Sequence, residues 1–86
     1  MEDEEAAPEI LVDARGHRCP VPTLKLRRAL EAAPVGARVR LVADDPLARI
    51  DVPHFLAEAR AELLDASECG GCFGFLVVKL PYEDVR

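Results

Sequence analysis

The chain switches between extended and helical patterning four times, and this switching constrains its fold more than any single residue does. Glu9–Asp13 (EILVD) is a short run of branched apolar residues and reads as a strand. A connector, ARGHRCPVP, separates it from Thr23–Ala33, where Leu24, Leu26, Ala29, Leu30 and Ala33 share helical spacing with Lys25, Arg27, Arg28 and Glu31. Pro34 and Gly36 end that helix. Ala37–Ala43 alternates again, with Val39, Leu41 and Ala43 on one side. Asp44-Asp45-Pro46 then reads as a helix start, with Asp45 as N-cap and Pro46 at the first helical position. Pro46–Arg60 is helical in pattern, but Pro53 predicts a kink or a restart at Asp51. Glu62–Ser67 is a weaker strand and Phe73–Leu80 a stronger one, joined by a hairpin turn in which Gly70 and Gly71 supply positive φ. The order is βαβαββ, which predicts a mixed sheet carrying both helices on one face.

Size permits little more than this. A chain of 86 residues buries roughly 60% of its unfolded surface, enough for one thin core and no deep catalytic cleft. The net charge of −5 is concentrated at the start, where Glu2, Asp3, Glu4, Glu5 and Glu9 supply five of sixteen acids. Elsewhere eleven acids balance eleven Lys and Arg. Residues 1–8 therefore read as a disordered acidic tail ahead of a single domain at 9–86. No phosphate-binding face stands out, so direct nucleic-acid binding is not expected. No apolar run reaches the roughly 20 residues of a membrane span, and the acidic start is no secretory leader. With three cysteines, an odd number, the expectation is a cytoplasmic protein with at least one free thiol.

Cys19 is the candidate reactive group. It falls where the first strand has ended and the first helix begins. Helix starts offer unpaired N–H groups and a partial positive charge, both of which favour a thiolate. With Cys19 as N-cap, Pro20 and Pro22 would occupy the first and third helical positions, leaving the N–H groups of Val21 and Thr23 for the sulfur. Between Ala14 and Leu30 stand Arg15, Arg18, Lys25, Arg27 and Arg28 and no acid, so a lowered thiol pKa is expected.

The stretch Val12-Asp13-Ala14-Arg15-Gly16-His17-Arg18-Cys19-Pro20-Val21-Pro22 resembles the D-x-x-G-x-x-C-P-x-P signature of the TusA/SirA sulfur-carrier family. A second block, Ala43-Asp44-Asp45-Pro46 followed by Asp51-Val52-Pro53 and Phe55, is similar to that family's D-D-P and D-[IV]-P-x-F stretch. The resemblance implies an α+β, two-layer α/β sandwich with a four-stranded mixed sheet. It also implies a sulfurtransferase in which Cys19 takes sulfur as a covalent persulfide, with no other cofactor. The sulfur would come from a cysteine desulfurase or a similar donor protein and pass to an acceptor protein. Family pathways include tRNA thiolation, molybdenum-cofactor maturation and sulfur oxidation. On this reading Arg15 and Arg18 stabilise the sulfur anion, dock the partner, or are ordinary surface residues. Asp13 closes the strand–loop turn and Gly16 serves backbone geometry.

Three features lie outside the motif. His17 stands where the family often has an apolar residue; it either tunes the thiolate or is a loop residue. His54 reads as a helix-surface residue, and Asp44 and Asp45 as caps rather than metal ligands. Cys69 and Cys72 either flank the Gly-Gly turn passively, or form a redox or persulfide-resolving dithiol, or hold half a zinc site. The alternative function is thus a thiol redox or metal-responsive regulatory module built on Cys69 and Cys72. A third reading is an interaction domain whose basic first helix docks an acidic partner.

Overall fold

The computed structural model describes residues 9–81, so the acidic tail expected over residues 1–8 lies outside the described residues. Strand β1 (Glu9–Asp13) leads through the cysteine-bearing connector into helix α1 (Val21–Ala32). Strand β2 (Arg38–Ala43), helix α2 (Ala48–Glu58), strand β3 (Ala61–Cys69) and strand β4 (Cys72–Lys79) follow. The four strands form one sheet in the order β1-β2-β4-β3. β1 runs parallel to β2, whereas β4 is antiparallel to both β2 and β3.

The alternation read from sequence builds the core directly. In β2, Val39, Leu41 and Ala43 are buried; in β4, Phe73, Phe75 and Val77 are buried. Cross-strand register places Val39 against Val77 and Leu41 against Phe75, so these side chains share the face covered by the helices. Leu26 and Leu30 from α1, with Val52 and Leu56 from α2, close that layer. Each fully buried Leu or Val contributes about 1.5–3 kcal/mol. The loss on truncating Leu26, which has no exposed surface, is about 2–5 kcal/mol because a cavity remains.

Several boundaries depart from the sequence expectation. α1 starts at Val21 rather than Thr23, and Pro22 is fully buried at its second position. A proline there forgoes no intrahelical bond. α2 is continuous from Ala48 to Glu58, with no restart at Asp51. Pro53 lies close enough to the helix start that only the Arg49 carbonyl loses its usual i+4 donor. Helical winding is entered through turn bonds from the N–H of Ala48 to the Asp45 carbonyl (2.9 Å) and of Arg49 to the Pro46 carbonyl (3.1 Å). The two strands of the hairpin extend to Cys69 and Cys72, leaving only Gly70 (φ 60°) and Gly71 (φ 85°) in the turn. Positive φ at both positions matches the two-residue turn whose twist suits a hairpin.

Topology sets one edge apart. The ends of β1, β2 and β3 and the start of β4 all fall on the same side of the sheet, so the Cys19 connector and the Cys69/Cys72 hairpin share that edge.

Candidate functional site

Cys19 is half-buried on the turn between β1 and α1, with a cis bond to Pro20. It packs against the core on the helix-covered side of the sheet. Its N–H donates to Asp45 Oδ2 at 2.8 Å, a contact spanning 26 residues. Asp45 Oδ1 accepts at the same time from the Leu47 N–H at 3.1 Å, so one carboxylate shapes the turn ahead of α2 and holds the cysteine turn. Asp45 is not the expected N-cap, a position that Leu47 takes without a side-chain cap. Its neighbour Asp44 accepts from the Gly16 N–H, at 3.0 Å and 3.1 Å to its two oxygens. Gly16 sits at φ 84°, where a side chain is strained, and that conformation directs its N–H toward Asp44. Gly16, His17, Arg18 and Cys19 on one side, and Asp44 to Leu47 on the other, line an open groove of about 580 Å³.

The electrostatics reverse the expectation drawn from the local run of cations. The Cys19 thiol is pushed up to about 11, first by partial burial and then by the Asp51 carboxylate that acts on it from α2. Asp45 adds a further like-charge contribution in the same direction. The cysteine is not the N-cap, a position that Pro20 takes without any side-chain cap. The Val21 N–H, expected to face the sulfur, instead donates to the Arg18 carbonyl at 2.9 Å. The correction has a simple cause. Residues adjacent in sequence to Cys19 are exposed to solvent, while Asp45 ahead of α2 and Asp51 on it, a whole strand later, act on the thiol.

The other sequence candidates divide between two places. Arg18 is exposed on the rim of the groove; the backbone N–H groups of Cys19 and Leu47, and then the Arg18 charge, hold Asp45 below the usual carboxylate range. Arg15 does not reach the sulfur. Its Nε and Nη2 bind Asp13 at 2.9 Å and 2.8 Å, and its N–H donates to the same carboxylate at 3.1 Å. Asp13 thereby closes the strand–loop turn and is held far below its ordinary value. Pro20 is exposed beside the thiol and Pro22 anchors α1 in the core. His17 lines the groove, and His54 is exposed on α2. Cys69 and Cys72 lie at the same edge but do not line the groove. Asp51 is the site residue that charge counting along the chain missed; its place in the Asp51-Val52-Pro53 stretch is the only pointer to it. Among the described residues no three metal-ligating side chains converge, and no helix is long and apolar enough to cross a membrane.

A small α+β domain that fixes one thiol on a strand-to-helix turn, beside an open groove, is built as a carrier rather than as an enclosed catalyst. The family model "Sulfurtransferase TusA" matches residues 10–79, and the chain belongs to that family of sulfur carriers. It is 35% identical over 68 residues to the sulfur carrier protein TusA of Allochromatium vinosum, covering 79% of this chain and 90% of the relative. It is 32% identical over 76 residues to the sulfur carrier protein TusA of Pseudomonas fluorescens, covering 88% and 92% respectively. The crystal structure of a SirA-like protein from Desulfitobacterium hafniense shares the fold, with a TM-score of 0.64 at 24% identity over 84% of this chain and 99% of that one.

Proposed function

We propose that Cys19 is the sulfur-bearing residue and that it relays sulfur as a persulfide between a donor protein, such as a cysteine desulfurase, and an acceptor protein. The observation that carries this reading is the tethered turn: the Cys19 N–H is fixed to Asp45 while the residue borders an open groove. Loading is an exchange reaction. The Cys19 sulfur attacks the outer sulfur of the donor persulfide, the donor S–S bond breaks, and the donor leaves as a thiolate that takes up the proton Cys19 has lost. Delivery repeats the exchange with the acceptor thiolate as attacker and Cys19 as leaving group.

A thiol near pKa 11 is on the order of one part in ten thousand thiolate at neutral pH, so the free carrier is unreactive. The same property makes Cys19 a poor leaving group, so a loaded sulfur is retained during transit. Asp51 acts on the thiol from α2, and a partner docking over the groove covers Asp45, which lines it. A cytosolic setting, where thiols stay reduced, suits this chemistry. Transfer onward into tRNA thiolation, molybdenum-cofactor maturation or sulfur oxidation is the range of routes open to such a carrier, the acceptor rather than this domain handling any nucleic acid.

Intact-mass spectrometry after incubation with a cysteine desulfurase and cysteine tests the assignment. One added sulfur, about 32 Da, should appear on the wild type, vanish on reduction, and be absent from Cys19→Ser. Sulfur appearing on Cys69 or Cys72 instead would sink it.

A further inference from the structure

The hairpin end of the edge carries two thiols that the carrier reading leaves unused. Cys69 closes β3, Cys72 opens β4, and the two are paired directly across the Gly70-Gly71 turn. Directly opposed residues of an antiparallel pair present their side chains on one face, with Cα atoms roughly 4.5–5.5 Å apart. That separation lies inside the roughly 4.4–6.8 Å that a disulfide spans. Both cysteines are free, Cys69 exposed and Cys72 half-buried.

Their face is the one turned away from the helices. Phe73 and Phe75 alternate with Cys72 along β4 and point into the core, so Cys72 lies on the open side. Asp13 belongs to the same side: it pairs with Val42 of β2, which pairs with Gly74 of β4, two residues from Cys72. Arg15, fixed to Asp13 by its bidentate contact, is near enough for the Cys72 thiolate to act on it electrostatically. The hairpin therefore combines two opposed thiols, solvent access and one positioned cation.

From this arrangement we infer that Cys69 and Cys72 form a redox-active dithiol that reduces disulfides by exchange, separately from Cys19. The Cys72 thiolate attacks one sulfur of a substrate disulfide, whose S–S bond breaks and releases one thiolate. The Cys69 thiolate then attacks the Cys72 sulfur of the mixed disulfide, the second substrate thiolate leaves, and the Cys69–Cys72 disulfide closes. The substrate gains the two electrons the dithiol loses, and the two thiol protons pass to the departing thiolates. An exposed bridge closed over so short a turn belongs with labile disulfides rather than structural ones, so reduced glutathione should reopen it.

The experiment uses the full chain carrying Cys19→Ser, so that failure here leaves the carrier assignment untouched. After incubation with glutathione disulfide at mildly alkaline pH, intact mass and peptide mapping should show a Cys69–Cys72 link, two hydrogens lighter, reversed by reduced glutathione. Adding Cys69→Ser to that background should trap glutathione on Cys72. Two independent glutathione adducts, linkage between chains, or no reaction would each overturn the inference. So would trapping on Cys69 in Cys72→Ser with none on Cys72 in Cys69→Ser, since Cys72 would then not be the attacking sulfur.

Discussion

The cysteine turn and the cysteine hairpin sit on one sheet edge and differ in almost every physical respect. Cys19 is on the helix-covered side, tethered through its own N–H and held protonated by burial and by Asp51. Cys69 and Cys72 are on the open side, held only by strand pairing and a two-glycine turn, with Arg15 as the nearby charge. Acids surround the first thiol and a cation accompanies the second pair. The comparison teaches that the charge around each thiol is set by which face of the sheet it occupies, not by how many cations flank it in the chain.

Replacing one cysteine at a time tests that division most severely. Cys19→Ser should abolish persulfide loading completely, whereas Cys69→Ser and Cys72→Ser should load as the wild type does, read by intact mass. Equal losses in all three variants would erase the distinction between the ends.

Asp51→Asn sharpens the electrostatic half of the contrast. Removing the carboxylate should lower the Cys19 pKa by about one unit and raise its alkylation rate at pH 8 roughly 10-fold. In the wild type, that rate should climb with pH toward a midpoint near 11. A raised folded-state value also means that the protonated thiol's contribution to stability is complete below the unfolded cysteine pKa and is lost as pH rises through 11. An Asp51→Asn profile that overlays the wild type would show that Asp51 does not govern the thiol.

The hairpin should be mechanically independent of the turn. Gly71→Ala places a Cβ at φ 85° and should cost about 1–2 kcal/mol in chemical denaturation, with Cys19 loading unchanged. Loss of loading would mean the two ends are coupled. The smallest effect concerns acid. Asp13 and Asp45 both have depressed values, so each adds stability above the ordinary carboxylate pKa and loses it as pH falls below about 4. Asp45→Asn should flatten that acid limb, measured by Tm against pH.

Much of this molecule is legible in its sequence. The six elements and their order follow from periodicity, and the alternation at Val39-Leu41-Ala43 foretells the buried face of β2. Cys19 stands out because Pro20 and Pro22 follow it at a strand-to-helix switch. What fails is charge, and it fails for a geometric reason. Counting along the chain places Arg15 and Arg18 beside the sulfur, but Arg15 turns back to Asp13 on the other face. The parallel crossover instead delivers Asp45 and Asp51, contacts that span a strand and a helix start. Asp45, read as the N-cap, instead precedes an N-cap at Leu47, where it accepts from the Leu47 N–H. That its second oxygen holds Cys19 was not readable, because a side chain's second partner leaves no periodic trace.

The paired tethers from Asp44 to Gly16 and from Asp45 to Cys19 have a kinetic consequence. A thiol clamped at both ends of its turn cannot swing between two docked proteins as a flexible arm would. In the relay proposed for Cys19, donor and acceptor each come to the same mouth, so they take turns. Tighter binding to either partner then lengthens its stay at that mouth and delays the other.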